Sequence, residues 1–444
     1  MNLLRLSWKN LTFKPLSMWL SIILFALGVG LISLLLLLEH QLQRNFEKNL
    51  AGIDLVIGAK GSPLQLILSS MYHIDNPTGN VSIDEVRPFL NPAHPLIQTA
   101  VPLSLGDSYK GFRIVGTTPA ILEVYGVALD KGALWQHDLE VVAGAAVARE
   151  LGLTMGSSFH SSHGLVEDEN LAHDHADFKV VGILQPSGTV LDQLLLTANQ
   201  SYWMVHEHVE TPTTPVPAAP DHDDHDHAEA DHDHDHDHDH EEHHHDATSP
   251  ASSTPLWQME GTKDITVVLV KFKGRNFQAL NMQRSINENT DMQAATPAIE
   301  INRLYSLMDT GEKALRILAV VIIIVSGLSI FIALLGSLKE RRYELALMRV
   351  MGARPRRLFA LIMLEGLLLA VAGCALGLLL SHGSMQLLGS AMKDAYRYDF
   401  TGYLFLDSEW WIVIGSLLIG LLAALWPAIS ASSTDISETL LRNE

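Results

Sequence analysis

Residues Lys339–Gly373 read KERRYELALMRVMGARPRRLFALIMLEGLLLAVAG. Its first half is densely basic, and an apolar segment long enough to cross a bilayer lies directly on either side. Lys and Arg in a short loop resist translocation, so the basic segment is predicted to lie on the cytoplasmic side of a membrane. The helical spacing of Glu340, Glu344 and neighbouring apolar residues predicts a short surface helix. Gly352 stops this helix and Pro355 starts the next one.

Four apolar segments reach the length of about 20 residues that a bilayer requires. They are Met18–Leu38, Ile317–Leu338, Leu358–Ser381 and Trp410–Ile429. Basic residues precede the first segment, which predicts that the N-terminus and the C-terminus are both cytoplasmic. No small-x-small cleavage site follows the first segment, so it is interpreted as an uncleaved anchor. The expected fold class is an α-helical membrane protein with four transmembrane helices and a large mixed α/β extracytoplasmic domain between the first and second.

The extracytoplasmic domain shows short runs of alternating or continuous apolar residues that are typical of strands. The predicted strands are Phe112–Gly116, Leu139–Ala143, Phe178–Leu184 and Ile265–Phe272. A short helix is predicted at Gly144–Leu151, ending at Gly152. A further amphipathic helix, from Pro297 to Arg316, is expected to lead into the second span as a stalk. The outward extension of the first span, Glu39–Leu50, is its expected partner.

The segment ERRYELALMRVMGARPRRLFALIMLEG closely resembles the signature of FtsX-like permeases, the membrane subunits of MacB-type ABC systems. Two other pieces, VVAGAAVARELGLTMGSSF and FKVVGILQPSGTVLDQLLLT, resemble the periplasmic core domain of MacB-type permeases. The resemblance implies structural roles for Gly152, Gly156 and Gly182. It also implies a homodimer in the bacterial inner membrane, with one separate ATPase per permease docked on the short cytoplasmic helix. The coupling residues expected for that contact are Arg341, Glu344, Met348, Arg349, Gly352 and Arg354.

The expected organisation follows from the spans and the resemblance. It comprises a cytoplasmic amphipathic N-terminus (1–17), the first span (18–38), a periplasmic core domain (39–314), the second span (317–338), a cytoplasmic coupling segment (339–357), the third span (358–381), a short periplasmic loop (382–409), the fourth span (410–429) and a cytoplasmic tail (430–444). Leu3, Leu6 and Leu11 are expected to face membrane lipid.

Composition excludes several classes of function. The chain contains neither a Walker motif nor a catalytic constellation, so it is predicted not to be an enzyme, and ATP hydrolysis is expected in a separate subunit. It has no basic groove with interleaved aromatic residues, which argues against nucleic acid as a partner. The single cysteine, Cys374, rules out a disulfide framework and is interpreted as a packing residue.

Histidine and acidic residues are concentrated in two parts of the extracytoplasmic domain. The minor cluster spans 160–177 and includes His173 and His175. The major tract spans 221–246, lies between Pro/Ala/Thr-rich linkers, and is predicted to be disordered. Its histidines are His222, His225, His227, His232, His234, His236, His238, His240, His243, His244 and His245. Imidazole beside carboxylate is the ligand mixture that binds Zn²⁺, or Ni²⁺ or Cu²⁺, so metal binding is predicted without a tightly bound cofactor. The alternative is a charged, solubilising linker.

Glu365 is an acidic residue inside a predicted span, which is costly and suggests either a function or a structural ion pair. Arg354 and Arg357 are the expected partners because they lie near the inner end of the same span. Both interpretations remain open from the sequence.

The function expected is the permease subunit of an ATP-driven complex. The His-rich tract favours a zinc-linked system, with uptake aided by a periplasmic metal-binding protein. Two alternatives remain. One is export of a lipoprotein or a small molecule, with the tract as a metal sensor or buffer. The other is a scaffold that transmits mechanical work to an envelope partner.

Overall fold

The computed structural model describes residues 3–13, 15–163, 172–207, 255–259, 261, 263–274, 277–396 and 400–433. These residues form two compact units. One unit combines Met1–Glu47 with Asn302–Glu444, and the other is Lys48–Ile301. The first is helical and the second is a mixed α/β domain.

The helical unit contains the membrane-spanning part of the chain. Its helices are α1 (Leu3–Thr12), α2 (Pro15–Leu50), α9 (Pro297–Glu340), α10 (Arg342–Val350), α11 (Pro355–Tyr396) and α12 (Glu409–Ser432), numbered with those of the second unit in chain order. In the described ranges, four of these helices are long and apolar enough to cross a membrane, namely α2, α9, α11 and α12. Each contains one of the four predicted spans, which confirms the predicted fold class.

Small residues let these helices approach closely. A Cβ atom added to Gly377 of α11 would lie 2.7 Å from the carbonyl oxygen of Ala26 in α2. One added to Gly420 of α12 would lie 2.3 Å from the Cβ of Ala370 in α11. Cys374 is buried in the same apolar core, which confirms its interpretation as a packing residue. Dispersion forces between closely packed helices stabilise a bundle in lipid, where the hydrophobic effect does not act between spans.

Two glycines on α12 allow a matched test of this packing. A Cβ at Gly415 would meet no atom of the described chain within 4 Å, whereas one at Gly420 overlaps Ala370. We expect Gly420→Val to lower the free energy of unfolding by about 1–3 kcal/mol because the helices must move apart. Gly415→Val should leave it almost unchanged. Thermal unfolding of both variants in one detergent measures the difference, and equal midpoints would contradict the packing described.

Helices α2 and α9 continue beyond their apolar spans and pair with each other, and we call this paired part the stalk. Arg316 of α9 forms an ion pair with Glu39 of α2, with 3.2 Å between Nη2 and Oε2. Further along, the rings of Phe46 and Tyr305 meet edge to face, with 5.7 Å between their centroids. The predicted pairing of Glu39–Leu50 with the start of the second long helix is confirmed. Two paired helices resist bending better than one.

The α/β unit is built around a mixed sheet. Its strands are β1 (Leu55–Ala59), β2 (Val81–Ser82), β3 (Ile97–Tyr109), β4 (Phe112–Thr117), β5 (Leu129–Gly132), β6 (Glu140–Ala143), β7 (Ser158–His163), β8 (Ala172–Leu184), β9 (Leu195–Ala198), β10 (Asp264–Ile265), β11 (Val267–Phe272) and β12 (Met292–Ala295). Its helices are α3 (Pro63–Met71), α4 (Ile83–Leu90), α5 (Ala120–Tyr125), α6 (Ala145–Glu150), α7 (Asn199–Glu207) and α8 (Phe277–Asn289). Within the described part of the chain, ten strands join in the order β12-β1-β11-β3-β4-β9-β6-β8-β5, and β7 pairs with β3 and β8. A separate ribbon pairs β10 with β2.

The long strand β3 holds the sheet together. Its first half pairs with β11, and its second half pairs with β4 and β7. One apolar core lies around β1, β11 and β12, where Val268 and Ile57 are fully buried. A second lies around β4, β6 and β8, where Val141 and Phe178 are fully buried. Strand β3 therefore borders both cores.

The predicted strands at 112–116, 139–143 and 178–184 are confirmed, although β8 begins six residues earlier than predicted. The strand predicted at 265–272 is divided at Thr266 into β10 and β11. Strand β3 was not predicted, because Ser104, Asp107 and Ser108 interrupt its apolar pattern while lying buried in it. The third long helix continues to Tyr396, so much of the predicted loop at 382–409 is helical.

Candidate functional site: the coupling helix and its buried polar triad

The basic segment forms a separate helix, α10, between two long helices. The break before it lies at Arg341, whose φ of −101° and ψ of 14° depart from helical values. After Val350 the chain turns at Gly352, where φ is +94°, a conformation that glycine adopts without strain. Pro355 then begins α11, since proline suits the first turn of a helix. The predicted sequence of short helix, glycine turn and new helix is confirmed.

One side of α10 is fixed in the bundle. Leu345 and Ala346 are buried against the adjacent ends of the neighbouring helices. The residues that form this core with them are Leu338, Leu358, Leu361, Ile362, Ala428 and Ala431. Helix α10 therefore cannot move without moving the ends of α9, α11 and α12.

The opposite side of α10 exposes apolar side chains. Leu347, Val350 and Met351, which we call the apolar tip, expose 44%, 60% and 72% of their surface. Exposed basic residues flank the tip at Arg342, Arg354, Arg356 and Arg357. A cluster of exposed apolar residues with a charged rim is typical of a protein-binding surface. Sequence reasoning missed these three side chains because it could not tell which face of α10 is buried.

The six predicted coupling residues divide between the two sides. Glu344, Gly352 and Arg354 are exposed. Met348 and Arg349 are half-buried, and Met348 packs against the core beneath α10. Arg341 turns inward, with 13% of its side chain exposed. Their role in coupling stays a prediction, and Arg341 has a different environment from the rest.

Arg341 belongs to a buried polar triad with Glu365 and Asn10. Glu365 is 1% exposed, and its Oε1 accepts hydrogen bonds from Asn10 Nδ2 at 2.7 Å and from Arg341 Nη1 at 3.4 Å. Arg341 Nε also reaches Glu344 Oε2 at 3.3 Å. The triad joins α1, the residue that precedes α10 and the first third of α11 at one carboxylate. It stabilises the charge that burial alone would make costly.

The partners predicted for Glu365 were wrong. Arg357 lies eight residues before Glu365 on the same straight helix, so the two Cα atoms are separated by about 12 Å along its axis. The partners in the structure are Asn10 of α1 and Arg341, the residue that precedes α10. Neither residue belongs to α11, the helix that contains Glu365. Glu365 therefore has a structural ion pair, and its environment explains how an acidic residue is tolerated in a span.

The N-terminal helix α1 also packs differently from the prediction. Leu6 and Leu11 contact apolar cores of the helical unit instead of facing lipid. Ser7 is fully buried, and its hydroxyl donates to the carbonyl oxygen of Leu361 at 3.4 Å. Leu3 is exposed. The short helix is thus part of the assembly that holds α11 and the coupling helix together.

A second polar cluster lies at the other end of the spans. Glu409, expected in a solvated loop, is the fully buried first residue of α12. Its Oε1 accepts a hydrogen bond from Ser33 Oγ at 2.6 Å and lies 3.2 Å from His382 Nε2. Ser381 Oγ donates to Ser33 Oγ at 2.8 Å. The cluster ties α2, α11 and α12 together, and sequence periodicity gave no signal for it.

The predicted metal ligands cannot be placed as one site. The tract at 221–246 lies outside the described residues. His173 and His175 lie in β8, but their side chains are outside the description. Among the side chains that the structure describes, no group of three His, Cys, Asp or Glu residues is arranged to hold a metal ion. Metal binding by the tract stays a prediction.

Comparison with known proteins agrees with this architecture. Residues 18–217 match the family model of the MacB-like periplasmic core domain. Residues 316–436 match that of the FtsX-like permease C-terminal domain. The first match begins in α2 and runs into the α/β unit. The second contains the larger part of α9 and all of α10, α11 and α12.

Curated relatives include a "Probable export ATP-binding/permease protein" of Pseudomonas fluorescens, 27% identical over 169 residues, which are 36% of this chain and 25% of the relative. A "Macrolide export ATP-binding/permease protein MacB" of Burkholderia pseudomallei is 27% identical over 145 residues, 31% of this chain and 21% of the relative. A "Probable export ATP-binding/permease protein MacB" of Pseudomonas entomophila is 24% identical over 190 residues, 41% of this chain and 28% of the relative. The matched part of the chain thus spans about a quarter of the length of these relatives.

The two family matches follow one another along the chain in the order that the fold requires, with the α/β domain inserted between the first and second long helices. Together with the coupling helix and its neighbours, they identify the chain as a member of the FtsX-like permeases that carries a MacB-like periplasmic core domain.

Proposed function

We propose that the chain is the permease subunit of an ATP-driven complex in a bacterial inner membrane, with both termini cytoplasmic. A separate ATPase docks on α10, and a second copy of the chain completes the complex as a homodimer. The observation that carries the proposal is the apolar tip of α10 beside exposed arginines, on a helix whose other face is fixed in the bundle. An exposed apolar patch on so short a helix is best explained by a protein partner.

A continuous helix connects the α/β domain to α10. Helix α9 begins directly after β12 and ends directly before Arg341, so one helix of 44 residues links the sheet to the coupling site. At 1.5 Å per residue it is about 66 Å long. Its ion pair and ring contact with α2 stiffen the outer part. Movement of α10 by the ATPase would therefore be transmitted to the α/β domain.

We propose that the transported substrate is zinc. The support is the alternation of histidine with aspartate in 221–246, which supplies many imidazole and carboxylate ligands. In this account the complex takes up zinc with a periplasmic metal-binding protein, and the tract concentrates the metal. Ni²⁺ and Cu²⁺ fit the same ligands. The names of the relatives mention export, in one case of macrolides, and favour a second candidate, in which the complex exports a small molecule and the tract senses or buffers metal. Export of a lipoprotein is a variant of this candidate. Mechanical transmission to an envelope partner is a third.

Radioactive zinc accumulation separates these candidates. Zinc-starved cells lacking the chain would be complemented with the intact chain, with 221–246 deleted, or with the eleven histidines of the tract replaced by glutamine. The last variant keeps the length and the acidic charge of the tract. We expect the intact chain alone to restore accumulation. Equal restoration by all three would keep zinc transport but make the tract accessory. Equal accumulation in null and wild-type cells would refute zinc uptake and favour export or mechanical transmission.

A further inference from the structure

The segment 400–408, which we call the strap, lies directly before α12 and is held by side chains of two other helices. Gln41 of α2 bonds the backbone of Thr401 in both directions, since its Nε2 donates to the carbonyl oxygen at 2.9 Å and its Oε1 accepts from the amide at 2.8 Å. Gln386 of α11 accepts a hydrogen bond from the amide of Gly402 at 3.0 Å. The backbone of the strap therefore bridges α2 and α11.

His382 of α11 makes a further contact with the strap, and this contact fixes its tautomer. Its Nδ1 lies 2.6 Å from the carbonyl oxygen of Gly402. A carbonyl oxygen only accepts hydrogen bonds, so Nδ1 carries a hydrogen. The imidazole ring also lies parallel to the ring of Phe405 in the strap, with 6.0 Å between the centroids and 4° between the planes. The charge of His382 therefore depends on its other ring nitrogen, Nε2.

Nε2 of His382 faces the carboxylate of Glu409, the first residue of α12. Nε2 and Oε1 are 3.2 Å apart, and the glutamate side chain is 0% exposed. Nε2 is buried, and no described residue gives it a hydrogen bond of good geometry. Without a proton, Nε2 presents a lone pair to a buried negative charge. With a proton, the imidazolium is the counter-ion that a buried carboxylate requires. The contact is thus favourable only while one proton lies between the two groups.

Glu409 has two further hydrogen bonds that do not depend on this proton. Its Oε1 accepts from Ser33 Oγ of α2 at 2.6 Å, and its Oε2 accepts from the amide of Leu406 in the strap at 2.9 Å. The carboxylate therefore stays bound to α2 and to the strap when the proton is lost. The repulsion then acts on His382 and separates α11 from the strap.

We propose that one proton shared by His382 and Glu409 holds α11 to the strap. Loss of this proton releases the part of α11 around His382, while α2, the strap and α12 stay joined through Glu409. Helix α11 begins at Pro355, close to α10, and runs past His382 to Tyr396. A proton bound near one end therefore restrains the helix that α10 would move at the other. This consequence rests on the proposed function, whereas the contact itself is measurable without the ATPase.

Other titratable groups near the pair are exposed. Glu39 and His40 of α2 and Asp407 of the strap line a groove between α2 and the strap. These three side chains are exposed, and Glu39 already pairs with Arg316 of α9. Water and salt screen exposed charges, whereas the buried carboxylate acts on the imidazole with little screening. The buried pair is therefore expected to set the pH dependence of the contact.

Hydrogen exchange of the full chain in detergent, resolved to single residues by fragmentation, tests the proposal. The amide of Gly402 reports release from α11 because it bonds Gln386, and the amide of Leu406 is the internal reference because it bonds Glu409. Protection is compared at about pH 5.5 and about pH 8.5, on either side of the usual histidine pKa of about 6.5, after correction for the intrinsic exchange rate.

Two variants separate the proton from the remaining contacts. In Glu409→Gln the side-chain amide donates to the unprotonated Nε2 of His382, so the contact no longer needs the proton. His40→Gln is the matched control because it removes a titratable but exposed imidazole from the groove beside the strap.

We expect the protection of the Gly402 amide to fall by at least about tenfold from the lower to the higher pH in the unmodified chain and in His40→Gln. The fall has this direction because the closed contact binds the proton and the open one does not. Glu409→Gln should show equal protection at both pH values, and the amide of Leu406 should keep its protection throughout. Protection of Gly402 that does not change with pH in the unmodified chain, or that falls equally in Glu409→Gln, would overturn the proposal. The unmodified chain decides the matter even if Glu409→Gln impairs folding.

Discussion

Replacing Glu365 by alanine is expected to lower the free energy of unfolding by about 3–5 kcal/mol. The change removes the carboxylate that accepts hydrogen bonds from Arg341 and Asn10, and it leaves the Arg341 guanidinium buried without that counter-ion. An uncompensated charge in a water-poor interior is far more costly than a missing contact. Thermal or denaturant unfolding of the purified chain in detergent measures the effect, with helix content as the signal.

Glu344→Ala is the matched control for that variant. Glu344 also pairs with Arg341, at 3.3 Å, but 66% of its side chain is exposed. Exposed ion pairs contribute little, so we expect a loss of no more than about 0.5 kcal/mol. The double change Arg341→Met with Glu365→Leu should recover much of the stability that Glu365→Ala loses, because neither charge then remains buried. If Glu365→Ala and Glu344→Ala have similar free energies of unfolding, the triad does not hold α10 in place.

Placing aspartate at Leu347 and Met351 is expected to separate the permease from its ATPase while leaving the permease folded. Both side chains belong to the exposed apolar tip, so the change puts charge into the contact without creating a cavity in the chain. Buried apolar contacts at the centre of an interface commonly contribute about 2 kcal/mol or more each, which is roughly 30-fold in affinity per residue. ATPase activity that depends on the permease should fall to the level of the ATPase alone.

Tyr403→Asp provides the comparison for the double variant. Tyr403 is 88% exposed and lies in the segment that joins α11 to α12, away from α10 in the chain. It should retain full stimulation of the ATPase and an unchanged unfolding midpoint. If Leu347→Asp with Met351→Asp stimulates the ATPase as well as the Tyr403→Asp variant does, the docking surface is elsewhere.

The sequence alone predicts the four spans and the coupling helix well, because both depend on local properties. Long apolar runs can be recognised without knowing what they pack against, and Gly352 and Pro355 set the ends of two helices through their own backbone preferences. Paired extensions of the first and second long helices could also be predicted from chain order. These features require no knowledge of contacts between distant residues.

The polar contacts were not predictable in the same way. Asn10 and Glu365 are separated by 355 positions, and Ser33 and Glu409 by 376. Nothing in the local pattern marks Asn10 as the partner of an acidic residue in a span. Strand β3 was missed for a related reason: its buried polar residues resemble a loop until their neighbours on other strands are known.

Site-specific photo-crosslinking in living cells shows directly whether α10 contacts an ATPase. A photoreactive amino acid is placed at Leu347 in one strain and at Tyr403 in another, and the adducts are identified by mass spectrometry. We expect Leu347 to crosslink to a protein with the phosphate-binding motif of an ABC ATPase, and Tyr403 not to do so. Adducts at Leu347 that contain only lipid or extracytoplasmic proteins would contradict both the docking role of α10 and the proposed orientation of the chain.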